Sequence, residues 1–435
     1  MSDLKTEFLG ISSPNPFWLA SAPPTDKAYN VNRAFEAGWG GAVWKTLGED
    51  PPIVNVSGPR YSTLYSNDRR VIGFNNIELI TDRPLQTNLD ELRQIKRDWP
   101  DRALIASVML PMAEDSWAKY LPMIEDTGVD GFELNFGCPH GMSERGMGAA
   151  VGQVPEYIQM ATEWAKKAAS IPVIVKLTPN VASVVPPATA AQAGGADAVS
   201  LINTINSIMR VDYDSLTMYP TTDGMGTHGG YCGEAVKPIA LNMVAEIARN
   251  KETSSLPISG IGGITDWRDA VDFLALGASN VQVCTAAIVY GFKIIDDLVD
   301  GLSSFLDDKQ LTLDQLVGKA VPSVTDWQYL NLNYIEKAVI DQDLCIKCGR
   351  CHVVCEDTSH QAITHTVNGE RHFEVIDSEC VGCNLCVSVC PVDACISMQR
   401  LTTGKDPRTG QAITDEKLQW TAHPNNPMRN TDDTD

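Results

Sequence analysis

Two stretches of sequence decide the C-terminal fold of this chain: CIKCGRCHVVC at residues 345–355 and CVGCNLCVSVCP at residues 380–391. Each has the spacing C-x2-C-x2-C-x3-C. The first three cysteines of such a run can wrap one iron–sulfur cubane, whereas the fourth points to the cluster of the other run. The spacing therefore predicts two [4Fe-4S] clusters, each with three ligands from one run and a fourth from the other. The predicted ligands are Cys345, Cys348, Cys351 and Cys390 for the first cluster, and Cys380, Cys383, Cys386 and Cys355 for the second.

The cysteine segment resembles a bacterial two-cluster ferredoxin and predicts a small ferredoxin-like domain over residues 336–400. Glu356, not proline, follows Cys355, a departure from the ferredoxin pattern that removes no ligand. A pair of zinc sites is the alternative, but closed tetrahedral zinc sites seldom repeat an eight-cysteine pattern. Cys232 and Cys395 lie outside the two runs, and we expect them to be structural.

Eight short apolar runs precede the cysteines, separated by stretches with apolar residues at helical spacing, such as residues 155–169 and 235–250. The runs are FWLASA (17–22), GAVWKT (41–46), ALIASVML (103–110), GFELNFG (131–137), VIVKLT (173–178), AVSLINT (198–204), PISGIGG (257–263) and VQVCTA (281–286). Eight strand–helix units predict a (β/α)8 TIM barrel of the α/β class. A doubly wound open sheet is the competing fold, but no G-x-G-x-x-G follows the first strand.

The predicted order is a catalytic barrel over residues 1–310, a linker over 311–335, the ferredoxin-like domain, and a polar tail over 401–435. The 435 residues include 55 acidic and 34 basic side chains, for a formal charge of −21. Such an acidic chain is unsuited to a nucleic-acid backbone or an anionic membrane surface. We find no secretory signal pattern and no apolar run of spanning length, so we expect a cytoplasmic protein.

Polar residues and glycines collect at the predicted C-terminal ends of the barrel strands, where the chemistry of such barrels takes place. They are Ser21, Lys45, Thr46, Asn135, Cys138, Lys176, Asn203, Thr204, Gly262, Gly263, Cys284 and Thr285. A barrel needs fewer polar residues than this for its structure alone. We therefore expect the set to form the functional site.

Two features of this set suit a flavin nucleotide. Gly262 and Gly263 follow the seventh strand, where glycines let backbone N–H groups reach a phosphate, although an ordinary glycine turn is the alternative. Lys176 lies in an otherwise apolar strand, and a buried lysine requires an anion. A reduced flavin, negative around its pyrimidine ring, would meet that need, and so would a structural ion pair.

Cys138 follows the fourth strand and precedes a glycine-rich segment, residues 141–153, that is long enough for an active-site lid. A thiol there could donate a proton to a substrate, although a lone cysteine is otherwise a small buried hydrophobe. Asn76, Asn135 and Asn203 each offer a donor and an acceptor, which suits a uracil-like ring. Asparagines near strand ends are also common caps and turn residues.

Five stretches of the barrel resemble the FMN-containing part of the dihydropyrimidine dehydrogenase family. They are FNNIELIT (74–81), NFGCPHGMSERGMG (135–148), KLTPN (176–180), LINTINS (201–207) and HGGYCGEAVKPIALN (228–242). A barrel followed directly by a two-cluster ferredoxin is similar to the catalytic subunit of the two-subunit, NAD-dependent bacterial members. The resemblance extends to about residue 400.

This resemblance implies reduction of uracil and thymine to their 5,6-dihydro forms, with hydride passing from N5 of FMN to C6 and a proton from Cys138 to C5. The implied FMN contacts are Ser21, Lys45, Thr46, Lys176, Gly233, Ile261, Gly262, Gly263, Cys284 and Thr285. The implied substrate contacts are Asn76, Asn135, Phe136, Gly137, Asn203 and Thr204. Animal members of the family have a serine just before the catalytic cysteine, where this chain has Gly137.

No dinucleotide fingerprint occurs in this sequence, so the resemblance implies a partner subunit that binds FAD and NADH, in a heteromer such as a heterotetramer. Two other functions stay open. A dihydroorotate dehydrogenase-type oxidoreductase would need an additional cationic or N–H contact for the carboxylate of its substrate. An electron-transfer protein with an inactive barrel would not need to retain FMN.

Overall fold

The computed structural model of this protein describes residues 2–139, 146–331, 334–367 and 369–414. The chain divides into two compact units, Met1–Val324 and Thr325–Asp435. The segment 311–335, predicted to be a linker, is shared between them, because the helix Leu313–Leu316 buries both of its leucines in the core of the first unit. Of the predicted polar tail, residues 415–435 lie outside the described residues.

The first unit is built on a closed barrel of eight parallel strands, as the sequence predicts. The strands are Phe17–Leu19, Gly41–Leu47, Ala103–Val108, Gly131–Asn135, Val173–Lys176, Ala198–Leu201, Ile258–Ile261 and Asn280–Val283. Each strand pairs with its neighbours in chain order, and the eighth closes on the first through Gln282 and Trp18. Nearly every residue of these strands is buried, which explains why they occur as continuous apolar runs.

Helices cover the outside of the barrel. They are Ala28–Ala37, Leu85–Asp98, Glu114–Glu125, Ala149–Gly152, Pro155–Ala168, Val185–Ala193, Lys237–Arg249, Trp267–Ala275, Thr285–Tyr290 and Ile294–Lys309. The helix Leu85–Asp98 illustrates their patterning, because Leu85, Leu89, Leu92 and Ile95 form one buried stripe at helical spacing. Burial of such stripes against the strands completes the two layers of the barrel.

Extra strands lie at both ends of the barrel. The hairpin Thr6–Phe8 and Ile11–Ser13 packs near the amino-terminal ends of the barrel strands, where Phe8 contacts Trp18 edge to face. A four-stranded antiparallel sheet, called here the mouth sheet, lies at the carboxyl ends; its strands, in order, are Ile205–Ser207, Gly229–Cys232, Val71–Asn76 and Tyr61–Tyr65. A two-stranded hairpin, Arg210–Val211 with Met218–Tyr219, follows its first strand. The sequence analysis did not predict the mouth sheet.

The second unit contains a two-stranded antiparallel sheet, Ile335–Ile340 with Ile396–Leu401, and two helices, Arg350–Thr358 and Leu385–Val389. A small hairpin pairs Thr366–Val367 with Glu370–Arg371. Each helix begins inside a cysteine run, so the sheet brackets two similar loop–helix segments. In the described part of the whole chain, no helix combines the length and the apolar character needed to cross a membrane.

Candidate active site and cluster centres

One open cavity of about 1200 Å³ lies at the carboxyl ends of the barrel strands. Every residue predicted to contact FMN lines it, together with Cys138 and most of the predicted substrate contacts. These lining residues are Ser21, Lys45, Thr46, Asn76, Asn135, Cys138, Lys176, Asn203, Thr204, Gly233, Ile261, Gly262, Gly263, Cys284 and Thr285. The closure of the barrel therefore brings together residues that are spread over more than 250 positions of sequence.

Phe136 and Gly137 are the two predicted substrate contacts that do not line the cavity. The ring of Phe136 packs into the barrel core against Trp117, at 6.2 Å between ring centroids. A β-carbon on Gly137 would lie 2.5 Å from the β-carbon of Asn203, so the asparagine occupies the space that a side chain would need. The animal-type serine therefore has no room here unless Asn203 moves. The substrate roles of both residues stay predictions.

Two of the predicted asparagines orient each other. Asn203 donates from Nδ2 to Oδ1 of Asn135 at 3.0 Å, and Asn135 donates from Nδ2 to Oγ1 of Thr46 at 3.0 Å. The Thr46 hydroxyl also lies 3.2 Å from that of Ser21. Asn76 belongs to the mouth sheet, where it donates to the carbonyl of Gly230 at 3.2 Å. Polar side chains from five separate segments of the chain thus line the cavity, oriented by these hydrogen bonds.

Cys138 is buried in a small apolar cluster with Ile80, Met109 and Met147. Its carbonyl accepts a hydrogen bond from Ala149 N–H at 3.0 Å, which connects Cys138 to the C-terminal part of the predicted lid. Gly148 adopts a left-handed conformation beside it, and a β-carbon there would approach the Cys138 carbonyl oxygen to 2.9 Å. The predicted lid itself, residues 141–153, lies partly outside the described residues, since 141–145 are not among them.

Lys176 forms the ion pair that the sequence analysis left open as an alternative. Its Nζ lies 3.2 Å from Oε1 of Glu133, a wholly buried residue of the fourth barrel strand. Oε2 of Glu133 accepts hydrogen bonds from Ser200 at 2.8 Å and from Gln282 Nε2 at 3.0 Å. Lys176 lines the cavity as well, so one lysine contacts both the buried carboxylate and the open pocket.

Lys45 is held by a second acidic network. Its Nζ lies 2.8 Å from Glu78 and 3.7 Å from Asp26, and Glu78 also accepts from the Tyr61 hydroxyl. Burial by itself would raise the pKa of Glu78, but Lys45 and Arg60 hold that pKa below its usual value. Burial raises the pKa of Asp26, because desolvation outweighs the attraction of Lys45. Because its pKa is lowered, Glu78 is an ionised partner of Lys45 at neutral pH.

Three glycines form the part of the cavity that suits a phosphate. Gly233, Gly262 and Gly263 have φ angles of +115°, +135° and +73°, which only glycine adopts readily. A β-carbon on Gly262 would approach Ala240 to 2.8 Å, and one on Gly263 would approach the carbonyl oxygen of Gly233 to 2.8 Å. No side chain therefore blocks an anion from approaching the backbone N–H groups of these glycines.

The residues present fit FMN. The cavity combines the glycines and the two lysines with the apolar side chains of Ile202 and Val283. Oε1 of Gln282, which lines the cavity, is buried and has no hydrogen-bond partner among the described residues. A flavin ring carries both donors and acceptors, so it could satisfy such an atom.

Two further thiols beside the cavity are kept neutral by their surroundings. Burial raises the pKa of Cys284 to about 12, with a further contribution from the neighbouring Cys232. Burial also raises the pKa of Cys232, against the opposing effect of a hydrogen bond with Thr285. At neutral pH both are uncharged, small side chains.

In the second unit, the two cysteine runs adopt matching loops. Lys347 and Gly349 in the first run, and Gly382 and Asn384 at the equivalent positions of the second, all have left-handed φ angles between 57° and 83°. Such residues let a short loop turn sharply while its cysteines face inward. The loops therefore repeat in conformation as well as in spacing.

Cysteines from different runs come together, as cross-ligation of two clusters requires. One pocket is lined by Cys355 of the first run together with Cys380, Cys383 and Cys386 of the second. Another is lined by Cys348 of the first run and Cys390 of the second. Ala362 N–H donates to Sγ of Cys355 at 3.2 Å, the kind of contact that stabilises a cluster thiolate. The donor set of eight thiols fits two [4Fe-4S] clusters.

The sequence analysis missed several residues of the site. Glu133 and Gln282 are polar residues within the apolar runs GFELNFG and VQVCTA, which is the signal that could have found them. Glu78 lies within the quoted stretch FNNIELIT. Tyr231 likewise lies within the quoted stretch HGGYCGEAVKPIALN, whereas no local pattern marked Tyr61; both line the cavity from the mouth sheet.

Comparison with known proteins identifies the family. A profile of the dihydroorotate dehydrogenase family matches residues 3–306, and one of the 4Fe-4S dicluster domain matches residues 338–398. The chain is 39% identical over 397 residues, 91% of its length and 95% of the relative's, to the NAD-dependent dihydropyrimidine dehydrogenase subunit PreA of Escherichia coli strain K12. This chain belongs to the dihydropyrimidine dehydrogenase family. The predicted resemblance, fold class and oxidoreductase assignment are thereby confirmed.

Other relatives separate this dihydropyrimidine dehydrogenase family member from the dihydroorotate branch. The chloroplastic dihydropyrimidine dehydrogenase (NADP(+)) of Arabidopsis thaliana is 38% identical over 80% of this chain and 83% of its own. The catalytic subunit of dihydroorotate dehydrogenase B (NAD(+)) of Pyrococcus abyssi is 33% identical over 73% of this chain and 99% of its own. The PreA match covers so much of the chain that it must extend into the cysteine segment.

Proposed function

We propose that this chain is the catalytic subunit of a dihydropyrimidine dehydrogenase that reduces uracil and thymine to 5,6-dihydrouracil and 5,6-dihydrothymine. The observation that carries the proposal is the convergence of Cys138, Asn135, Asn203 and the two lysines on one cavity. Relatives that are named dihydropyrimidine dehydrogenases share most of the length of the chain, which supports the same assignment.

FMN would be held by the residues that line the deep side of the cavity. The bare glycines Gly233, Gly262 and Gly263 suit its phosphate, and Lys176 suits the negative part of its ring. When bound, FMN supplies hydride chemistry at C6 of the pyrimidine, and the two clusters supply its electrons one at a time. The eight cysteines of the second unit would hold the clusters.

Cys138 acts as the general acid in this proposal. Hydride addition at C6 leaves a carbanion at C5 whose charge spreads to the C4 oxygen. The Sγ–H bond of Cys138 breaks and the proton forms a bond to C5; after the product leaves, the thiolate takes a proton from water that enters the cavity. The apolar packing around Cys138 keeps bulk water from the thiol, and proton transfer of this kind contributes about 10²–10⁴-fold to a rate.

The asparagines orient the substrate ring. Asn135 and Asn203 are fixed by the hydrogen bond between them, and Asn76 is fixed on the mouth sheet. An amide side chain can donate to a ring carbonyl or accept from a ring N–H, so three of them recognise the alternating edge of uracil. Preorganised contacts of this kind hold C5 at proton-transfer distance from the thiol.

A partner subunit would supply the electrons. PreA is named a subunit of an NAD-dependent enzyme, and in this proposal FMN and the pyrimidine would fill the described cavity. The partner would bind FAD and NADH and reduce the clusters of this chain. Co-expression of the two subunits followed by size-exclusion chromatography tests this point, and separate elution would contradict it.

Dihydroorotate reduction is the second candidate, because the family profile that matches the barrel carries that name. Its substrate bears a carboxylate, which needs a cation. Lys45 and Lys176, the cationic side chains that line the described cavity, each pair with a buried or partly buried carboxylate. Glu78 itself lines the cavity as an anion. These charges favour an uncharged pyrimidine.

Anaerobic turnover with a chemically reduced viologen dye distinguishes the candidates. Uracil, thymine and orotate are tested in parallel with the full-length protein loaded with FMN and clusters. We expect the ultraviolet absorbance of uracil and thymine to fall while that of orotate stays constant. Reduction of orotate alone would move the chain to the dihydroorotate branch, and failure to retain FMN would favour an electron carrier with an inactive barrel.

A further inference from the structure

Beneath the cavity, the barrel interior contains a layer of polar side chains centred on Glu133. Its carboxylate is wholly buried and meets Lys176, Ser200 and Gln282 at 3.2, 2.8 and 3.0 Å. Gln282 also donates to Ser259 at 2.9 Å. An ionised carboxylate accepts hydrogen bonds only, and all three of these partners donate to it. The layer is therefore built around a negative charge.

Lys176 connects this layer to the cavity. It ends the fifth barrel strand, and its register places it directly beside Asn135 on the fourth strand, while Glu133 lies two residues earlier on the same inward-facing side. The ammonium group thus has the carboxylate on one side and the open pocket on the other. A cation paired at 3.2 Å presents a much weaker field than a free one, because the partner charge opposes it at nearly the same distance.

We propose that Glu133 is a positioning residue that fixes Lys176 and lowers the positive potential it presents to the flavin ring, and so sets how easily the flavin is reduced. The inference rests on the proposed function, since it requires that FMN occupies the cavity. Ser200 and Gln282 hold the carboxylate in place, and Glu133 touches neither the cavity nor the substrate. Its effect on the reaction passes through Lys176.

A charge-removing variant tests this. Glu133→Gln keeps the size and hydrogen-bonding capacity of the side chain but removes its charge. The net charge of the Lys176 pair then rises by one, which favours the negatively charged reduced ring. We expect the variant to retain FMN and to raise the ratio of reduced to oxidised flavin at fixed potential by about tenfold, a positive shift of roughly 30 mV for a two-electron couple.

The measurement is an anaerobic redox titration of the full-length, cluster-loaded protein at pH 6.5, followed by the flavin bands of the visible spectrum. FMN content is measured first by release and fluorescence. Ser200→Ala is the matched control, because it removes one hydrogen bond to the carboxylate and keeps both charges. We expect its ratio of reduced to oxidised flavin, at the same fixed potential, to stay within threefold of the ratio in the parent protein.

Each outcome supports or overturns the inference. A positive shift in Glu133→Gln without one in Ser200→Ala supports it, and equal potentials in FMN-loaded parent and Glu133→Gln proteins overturn it. If Glu133→Gln does not fold, Glu133→Asp replaces it, since the shorter side chain moves the charge away from Lys176; an unchanged potential there also overturns the inference. A parent protein that binds no FMN overturns the proposed function itself.

Discussion

Cys138 lies in an apolar cluster and lines the cavity, so its thiol is largely shielded from solvent and faces the proposed substrate site. We expect Cys138→Ala to retain FMN and uracil binding and to lose turnover by about 10²–10⁴-fold, because only the proton donor is removed. Viologen-driven steady-state kinetics and uracil binding measure the two effects separately.

Cys232→Ala is the control for this prediction, since it removes another thiol from the wall of the same cavity. Its loss of turnover should be at least tenfold smaller than that of Cys138→Ala. Near-normal turnover in Cys138→Ala would remove Cys138 from the role of general acid.

Gly137 is the residue at which this chain departs from the animal pattern. A β-carbon there would approach Cβ of Asn203 to 2.5 Å and its Nδ2 to 2.7 Å. We expect Gly137→Ala to displace Asn203 and raise the KM for uracil by about tenfold, with FMN content unchanged, because overpacking of this kind costs about 1–3 kcal/mol. Gly58→Ala is the control, since its β-carbon would meet nothing within 4 Å. Equal KM values for the two variants would contradict the prediction.

Cys284 gives the barrel a pH dependence. Burial raises the pKa of its thiol from 9.0 to about 12, so between these values the unfolded chain loses a proton that the folded chain keeps. The free energy of unfolding of the apoprotein should therefore fall as pH rises from 9 to 12. Over this range, the free energy of unfolding of Cys284→Ala should fall by at least about 1 kcal/mol less than that of the parent protein. Urea denaturation at pH 8 and pH 11 tests this, and parallel losses in both proteins would refute it.

At the scale of elements, the predicted ligation makes the two cysteine runs interdependent, because each run would supply one ligand to the other's cluster. Cys355 ends the helical part of the first run but lies with Cys380, Cys383 and Cys386 in one pocket. We expect Cys355→Ser to lose about half of the iron, and Cys355→Ser with Cys383→Ser to lose no more, because both belong to one cluster.

Cys355→Ser combined with Cys348→Ser should instead lose nearly all of the iron, because these cysteines serve different clusters. Iron and sulfide analysis and electron paramagnetic resonance of the dithionite-reduced proteins provide the measurement. If the first double variant loses all of the iron and the second only half, each run ligates its own cluster.

The barrel strands show how far local pattern predicts elements. All eight apolar runs became strands, and the helical stretches 155–169 and 235–250 contain the helices Pro155–Ala168 and Lys237–Arg249. The mouth sheet escaped prediction because its strands are short, half exposed and rich in glycine and asparagine. Its strands Val71–Asn76 and Gly229–Cys232 pair across more than 150 residues of sequence, so no local pattern of apolar residues could predict that pairing.

At the scale of the whole molecule, each unit contains one kind of chemistry. Every residue that lines the cavity lies in Met1–Val324, and every predicted cluster ligand lies in Thr325–Asp435. We expect a chain that ends at Val324 to fold, retain FMN and reduce uracil with a viologen dye. It should show no NADH-dependent turnover with the partner subunit, because the clusters that carry the electrons are absent.

The full-length chain, assayed in parallel with dye and with NADH plus partner, is the control for the truncated one. NADH-dependent turnover by the truncated chain would show that electrons reach the barrel without the clusters. Loss of FMN from the truncated chain would show that the cavity depends on residues beyond Val324.

The sequence by itself determined the barrel, predicted the cluster ligands and named fifteen of the residues that line the cavity. Burial on both faces requires continuous apolar strands, cubane geometry fixes the cysteine spacing, and parallel strands place their carboxyl ends together. Only the tertiary structure decided which of those residues contact each other. The pairs Lys176–Glu133 and Asn203–Asn135 join residues 43 and 68 positions apart, and Asn203 fills the space beside Gly137. Such contacts depend on barrel closure and side-chain packing, which no local pattern records.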